Sequence, residues 1–70
     1  MEIRNEEHAV AMLDQWQHLP HRAQKNQIQL AIEQLELNSM YYEQKENGQG
    51  VNRCEKCILL LKKHLASLED

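Results

Sequence analysis

The residues whose types and spacing could do chemistry are Cys54 and Cys57, the only two cysteines of the chain. Two thiols three residues apart near a helix start can be acidified by the helix dipole, as in redox C-x-x-C pairs. Such redox motifs follow a strand in a strand-helix-strand unit, and no strand pattern precedes this one. Because cysteine is among the most buried residue types, the pattern favours two core residues, with a thiol redox sensor as the alternative.

A zinc site is the other chemistry that these cysteines allow. His18 and His21 have the same two-residue gap and could complete a tetrahedral set with Cys54 and Cys57. The order of the two pairs is reversed relative to a zinc finger, and their separation is long. A zinc-binding sensor therefore stays an alternative interpretation, and we predict no cofactor.

The sequence predicts no catalytic residues. Neither of the two serines, Ser39 and Ser67, lies in a recognisable nucleophile elbow. The run Gly48-Gln49-Gly50 lacks the strand and the lysine of a phosphate-binding loop. Glu33 and Glu36 lack the Glu-x-x-His pattern of di-metal helical bundles. We therefore predict a protein that is not an enzyme.

Three helices would position these residues, and the first is predicted at about 6–18. Asn5 is a good N-cap residue, and Glu6 and Glu7 suit the positive end of a helix dipole. Pro20 would end this helix and start the next one. The apolar residues follow helical spacing and form one stripe: Ala9, Met12, Leu13 and Trp16.

The second helix, at about 21–46, is predicted to be apolar on two nearly opposite faces. One face contains Ile28, Ala31, Ile32, Leu35 and Tyr42. The other face contains Ala23, Leu30, Leu37 and Tyr41. A helix with two apolar faces generally lies between two neighbours.

The third helix, at about 52–68, carries one apolar stripe, formed by Val51, Cys54, Ile58, Leu61, Leu65 and Leu68. The segment 47–50 is the clearest break because Gly48 and Gly50 tolerate the left-handed conformation of turns. The last two helices are thus predicted to form a long antiparallel hairpin in a single all-α domain over 1–70. Leu59 lies outside the stripe, where water would be expected.

Composition and charge disfavour several classes of function, among them a nucleic-acid-binding dimer. The formal net charge of −3 leaves too few basic residues, too interleaved with acidic ones, for nucleic-acid binding. No apolar run approaches 20 residues, so no membrane span is predicted. Two cysteines do not make a secreted disulfide scaffold, and we expect a cytoplasmic protein.

These patterns predict a small intracellular protein-protein interaction module, a regulator or inhibitor of bacterial or phage type. It would act as a homodimer, with two hairpins closing into a helical bundle. The predicted interface residues are Leu30, Leu37, Tyr41 and Leu59. A monomeric three-helix bundle, with the first helix covering the second face of helix two, is the structural alternative. Binding to a different protein is compatible with both arrangements.

Overall fold

A computed structural model describes residues 3–68, and within them it contains three helices and no strand. The helices are α1 (Glu6–Trp16), α2 (His21–Gln44) and α3 (Gly48–Ser67). The prediction of an all-helical chain with three helices is confirmed. The molecule measures 38 × 19 × 18 Å, and the 24 residues of α2 account for about 36 Å of its length at 1.5 Å per residue.

The start of α1 follows the sequence prediction, whereas its end does not. The Asn5 Oδ1 accepts a hydrogen bond from the His8 N–H at 2.7 Å. The helix ends at Trp16, two residues before the predicted boundary, because the chain already turns there: the Leu19 N–H donates to the Trp16 carbonyl at 2.9 Å. His18 therefore lies in the connection rather than in α1.

Pro20 is the N-cap of α2, and a buried glutamine holds the connection before it. The Gln24 Nε2 donates to the Leu19 carbonyl at 2.7 Å, and the Gln24 N–H donates to the Pro20 carbonyl at 2.9 Å. A single side chain thus satisfies a carbonyl that the turn leaves without a helical partner.

The end of α2 is a Schellman motif without a glycine. Glu46 has a φ of 57°, in the left-handed region, and its N–H donates to the Glu43 carbonyl at 3.1 Å. The Asn47 N–H donates to the Tyr42 carbonyl at 2.9 Å. These two bonds are the pair that defines the motif, in which glycine usually occupies the left-handed position.

The connection between α2 and α3 therefore differs from the predicted segment 47–50. Helix α3 begins at Gly48, four residues before the predicted start at 52, and Asn47 is its N-cap. The Asn47 Oδ1 accepts from the Gly50 N–H at 3.0 Å. Because this cap is available at Asn47, both glycines lie inside the helix, and neither has a positive φ.

Gly50 is needed for close packing rather than for a turn. A Cβ built at this buried position would lie 2.5 Å from the Tyr42 Cγ. At Gly48 an added Cβ would meet no described atom within 4 Å. Gly50 therefore lets the first turn of α3 pack directly on the Tyr42 ring of α2.

The core joins all three helices and the segment before α1. Its largest fully buried side chains are Ile28, Leu35, Cys57 and Leu61. The remaining buried hydrophobic residues are Ile3, Ala9, Met12, Leu13, Ile32 and Cys54. Helix α3 is the centre of the packing, since α2 packs extensively on it and α1 contacts it more than it contacts α2.

None of the helices in residues 3–68 has both the length and the apolar character needed to cross a bilayer.

Candidate functional site: an exposed apolar face of α2

Three of the residues singled out by sequence form an exposed apolar face on α2. The exposed fractions of Leu30, Leu37 and Tyr41 are 58%, 61% and 57%. At 100° per residue these side chains lie within about 40° of one another around the helix. Met40, which the sequence pattern did not single out, is equally exposed at the edge of this face. Helix α1 does not cover it.

This face follows alternating steps of three and four residues along the whole of α2. The positions are Ala23, Gln27, Leu30, Gln34, Leu37, Tyr41 and Gln44. Such spacing is typical of the contact stripe of a helix that pairs with another helix, and polar residues within the stripe specify how the two helices align. The alternation is recognisable once the glutamines are counted with the leucines. We call these seven residues the outer stripe.

The tyrosine of the outer stripe is held by its neighbours. Its ring meets the Tyr42 ring edge-on, with centroids 5.8 Å apart and planes at 69°. The Lys45 Nζ lies 5.7 Å from the centroid of the Tyr41 ring, within the range of a cation-π interaction. A large exposed aromatic ring that is already oriented loses little entropy on binding, as an interface anchor requires.

An apolar groove adjoins the outer stripe at Leu30. It has a volume of about 270 Å³ and lies between α1 and α2. Its walls include Met12 and Trp16 from α1 and Ala31 and Leu35 from α2. Trp16 is only partly buried, so the groove exposes aromatic surface beside an exposed leucine.

The charges of α2 are arranged against its own dipole. Residues 21–32 carry only basic charges, Arg22 and Lys25, whereas residues 33–44 carry only acidic ones, Glu33, Glu36 and Glu43. A helix is stabilised by acidic groups near its start and basic groups near its end. This arrangement opposes that preference, and the first turn of α2 contains no acidic residue and its last turn no basic one.

Leu59 is exposed, but it does not extend the α2 face. Its exposed fraction is 70%. Leu59 is two residues from the fully buried Leu61 and therefore lies about 160° away from it around α3. Since the buried side of α3 faces the other helices, Leu59 points away from them, and the structure does not join it to Leu30, Leu37 and Tyr41.

Both cysteines lie in the core as reduced thiols, and Cys57 has an exposed fraction of 1%. Burial raises the pKa of the Cys57 thiol above its ordinary value of 9.0, and the charges of Glu6 and Cys54 raise it further, partly offset by Arg53. A reactive redox thiol needs a lowered pKa and access to solvent. Cys57 has the opposite environment.

The four residues of the zinc alternative are not assembled into a site. His18 and His21 are exposed at the connection between α1 and α2, whereas Cys54 and Cys57 are buried in α3. Among residues 3–68, no three histidine, cysteine or acidic side chains are placed to hold a metal ion. The arrangement of the two histidines and the two cysteines in the folded chain therefore does not support a zinc site.

Comparisons with protein-family models, with curated proteins and with solved structures found no match to this chain. Its function is therefore inferred from the geometry and the charge of its own residues.

Proposed function

We propose that this protein is a small, non-enzymatic interaction module that acts as a homodimer through the outer stripe of α2. The observation that carries the proposal is the exposed apolar face of Leu30, Leu37 and Tyr41 on a helix whose opposite face is buried. Large apolar side chains aligned on one face of a helix are typical of protein contacts. We propose that it acts in the cytoplasm as a regulator or inhibitor.

We infer that α2 and α3 form an antiparallel hairpin in each subunit. Only Lys45, Glu46 and Asn47 connect the two helices, and Gly50 lies against Tyr42 just across this connection. A connection of this length joins helices that run back along each other. The hairpin leaves the outer stripe of α2 on the side that α3 does not occupy.

We infer that the occupant of the outer stripe is a second copy running antiparallel. The stripe is self-complementary in that orientation, because its positions on one copy meet its positions on the other. The dipoles of the two α2 helices then oppose each other favourably.

The outer stripe also restricts the alignment of the two helices. Among the alignments that this spacing allows, we propose the one that places the partner subunit's Tyr41 opposite Leu30 and the partner subunit's Leu37 opposite Gln34. Leu30 borders the groove that contains Trp16. Tyr41 of each subunit would thus bury its ring against the other subunit's groove, in the manner of an interface anchor in a pocket.

Sedimentation equilibrium of the wild-type chain and two leucine variants tests this function. Leu37→Glu places a charge in the centre of the proposed interface, and Leu59→Glu places the same charge on a somewhat more exposed leucine of α3. The wild type and Leu59→Glu are expected to sediment as dimers and Leu37→Glu as a folded monomer, because an unpaired buried charge opposes association. Circular dichroism verifies that both variants keep their helices.

Two outcomes contradict the proposal. The first is a wild-type chain that stays monomeric across the concentration range. The second is a dimer that Leu37→Glu leaves intact or that Leu59→Glu dissolves.

A further inference from the structure

A second cavity, separate from the outer stripe, is lined by two arginines. It has a volume of about 240 Å³ and lies where the segment before α1 meets α2 and α3. Arg4 and Arg53 supply its charged side chains, and no acidic side chain of the described residues lines it. The remaining lining residues are Ile3, Asn38, Tyr42, Gly50 and Cys54. In a chain with a net charge of −3, this is a local concentration of positive charge.

The other polar groups of the cavity are suited to donate hydrogen bonds. The Asn38 Oδ1 already accepts from the Gln34 Nε2 at 3.1 Å, which leaves the Asn38 amide hydrogens to donate. Tyr42 also lines the cavity.

We propose that this cavity binds a phosphate monoester. Guanidinium groups bind phosphate oxygens through paired, charge-assisted hydrogen bonds, and two of them match a dianion better than a monoanion. The volume is just below the range of sites for drug-sized ligands, which suits a phosphate group carrying a small organic substituent. All of the lining residues come from one chain, so binding does not depend on the homodimer.

Titration with inorganic phosphate, followed by the backbone amide resonances of a ¹⁵N-labelled chain, tests this site. At about pH 8, where phosphate is mostly dianionic, the Gly50 and Cys54 amides are expected to shift in a saturable manner. Acetate at equal ionic strength, as the monoanionic probe, is expected to bind at least about tenfold more weakly, since it lacks the second charge.

Three arginine variants show whether the cavity itself is responsible. Arg4→Gln and Arg53→Gln are each expected to weaken phosphate binding by about tenfold, as loss of one charge-assisted contact implies. The matched control, Arg22→Gln, removes an exposed arginine that does not line the cavity and should leave the affinity unchanged. The dispersion of the amide spectrum verifies that each variant is folded.

The proposal is overturned if the Gly50 and Cys54 shifts do not saturate, if acetate binds as tightly as phosphate, or if Arg22→Gln weakens binding as much as Arg4→Gln and Arg53→Gln. None of these readouts depends on association, so the site and the homodimer can fail separately.

Discussion

At the scale of single residues, Cys57 shows how burial decides between chemistry and packing. Its thiol is nearly inaccessible, and its pKa is raised by that burial. The two-residue spacing of the cysteines is visible in the sequence, but the desolvation that suppresses thiolate formation arises only when α1 and α2 cover α3. The spacing of the cysteines and their preference for the core could therefore be predicted from the sequence. The raised pKa of Cys57 could not, because it depends on the packing of the folded chain.

The raised pKa of Cys57 predicts a pH dependence of stability. Since the folded state holds the thiol proton more tightly, the stabilisation is fully present below the unfolded pKa and is lost as the pH rises through the folded pKa. Cys57→Ala should be less stable than the wild type by roughly 1–2 kcal/mol at neutral pH, and this difference should shrink above pH 9.

Urea unfolding of the wild type and of Cys57→Ala at pH 7 and near pH 10 measures the difference in their free energies of unfolding. The other groups that titrate at alkaline pH are present in both proteins, so their effects cancel in this difference. A difference that stays constant or grows with pH would show that the Cys57 thiol ionises at least as readily in the folded chain as in the unfolded one.

The two glycines of α3 form a matched pair for testing close packing. Gly50→Ala should destabilise the protein by about 1–3 kcal/mol, because the new Cβ would overlap the base of the Tyr42 ring and force it to move. Gly48→Ala should stabilise it by up to about 1 kcal/mol, because the position is open and alanine restricts the unfolded chain. Thermal unfolding midpoints of the two variants report both effects, and equal midpoints would refute the assigned role of Gly50.

At the scale of elements, the connection between α2 and α3 shows why glycine alone is an incomplete guide. Gly48 and Gly50 predicted a break at 47–50, but the left-handed residue is Glu46 and the helix starts at Gly48. Asn47 caps α3 and its N–H closes the Schellman motif of α2, so one asparagine serves both helix ends. The helix boundaries at Asn5 and Pro20 could be predicted from the sequence because each residue affects only the backbone next to it. The contact of Gly50 could not, because it depends on a residue of another helix.

The positive φ of Glu46 should cost more free energy with a glutamate at this position than with a glycine. Glu46→Gly is expected to stabilise the protein by about 1 kcal/mol, since glycine adopts a positive φ without a Cβ penalty. Glu43→Gly removes a nearby glutamate within the helix and should instead destabilise it by about 1 kcal/mol. Chemical denaturation of the two variants gives the comparison, and a loss of stability in Glu46→Gly would contradict the assigned geometry.

At the scale of the whole molecule, α2 connects the core to the proposed interface. Its inner face was predictable from periodicity, and Ile28, Ile32 and Leu35 are all buried as the pattern indicated. Whether α1 covers the opposite face depends on the length and docking of a short helix, which periodicity does not determine. The structure places α1 mainly on α3, so Leu30, Leu37 and Tyr41 remain exposed.

The measurement that tests the central proposal most directly is the distance between spin labels in a singly labelled chain. Labels at His21→Cys and at Glu36→Cys lie on exposed positions outside the outer stripe, and short reaction times leave the buried native cysteines unlabelled. An antiparallel pair of α2 helices centred between Leu35 and Glu36 predicts a separation of about 45 Å at residue 21 and a much shorter one at residue 36. Similar distances at both positions would indicate parallel helices, and the absence of any dipolar coupling would indicate a monomer; either result contradicts the antiparallel homodimer.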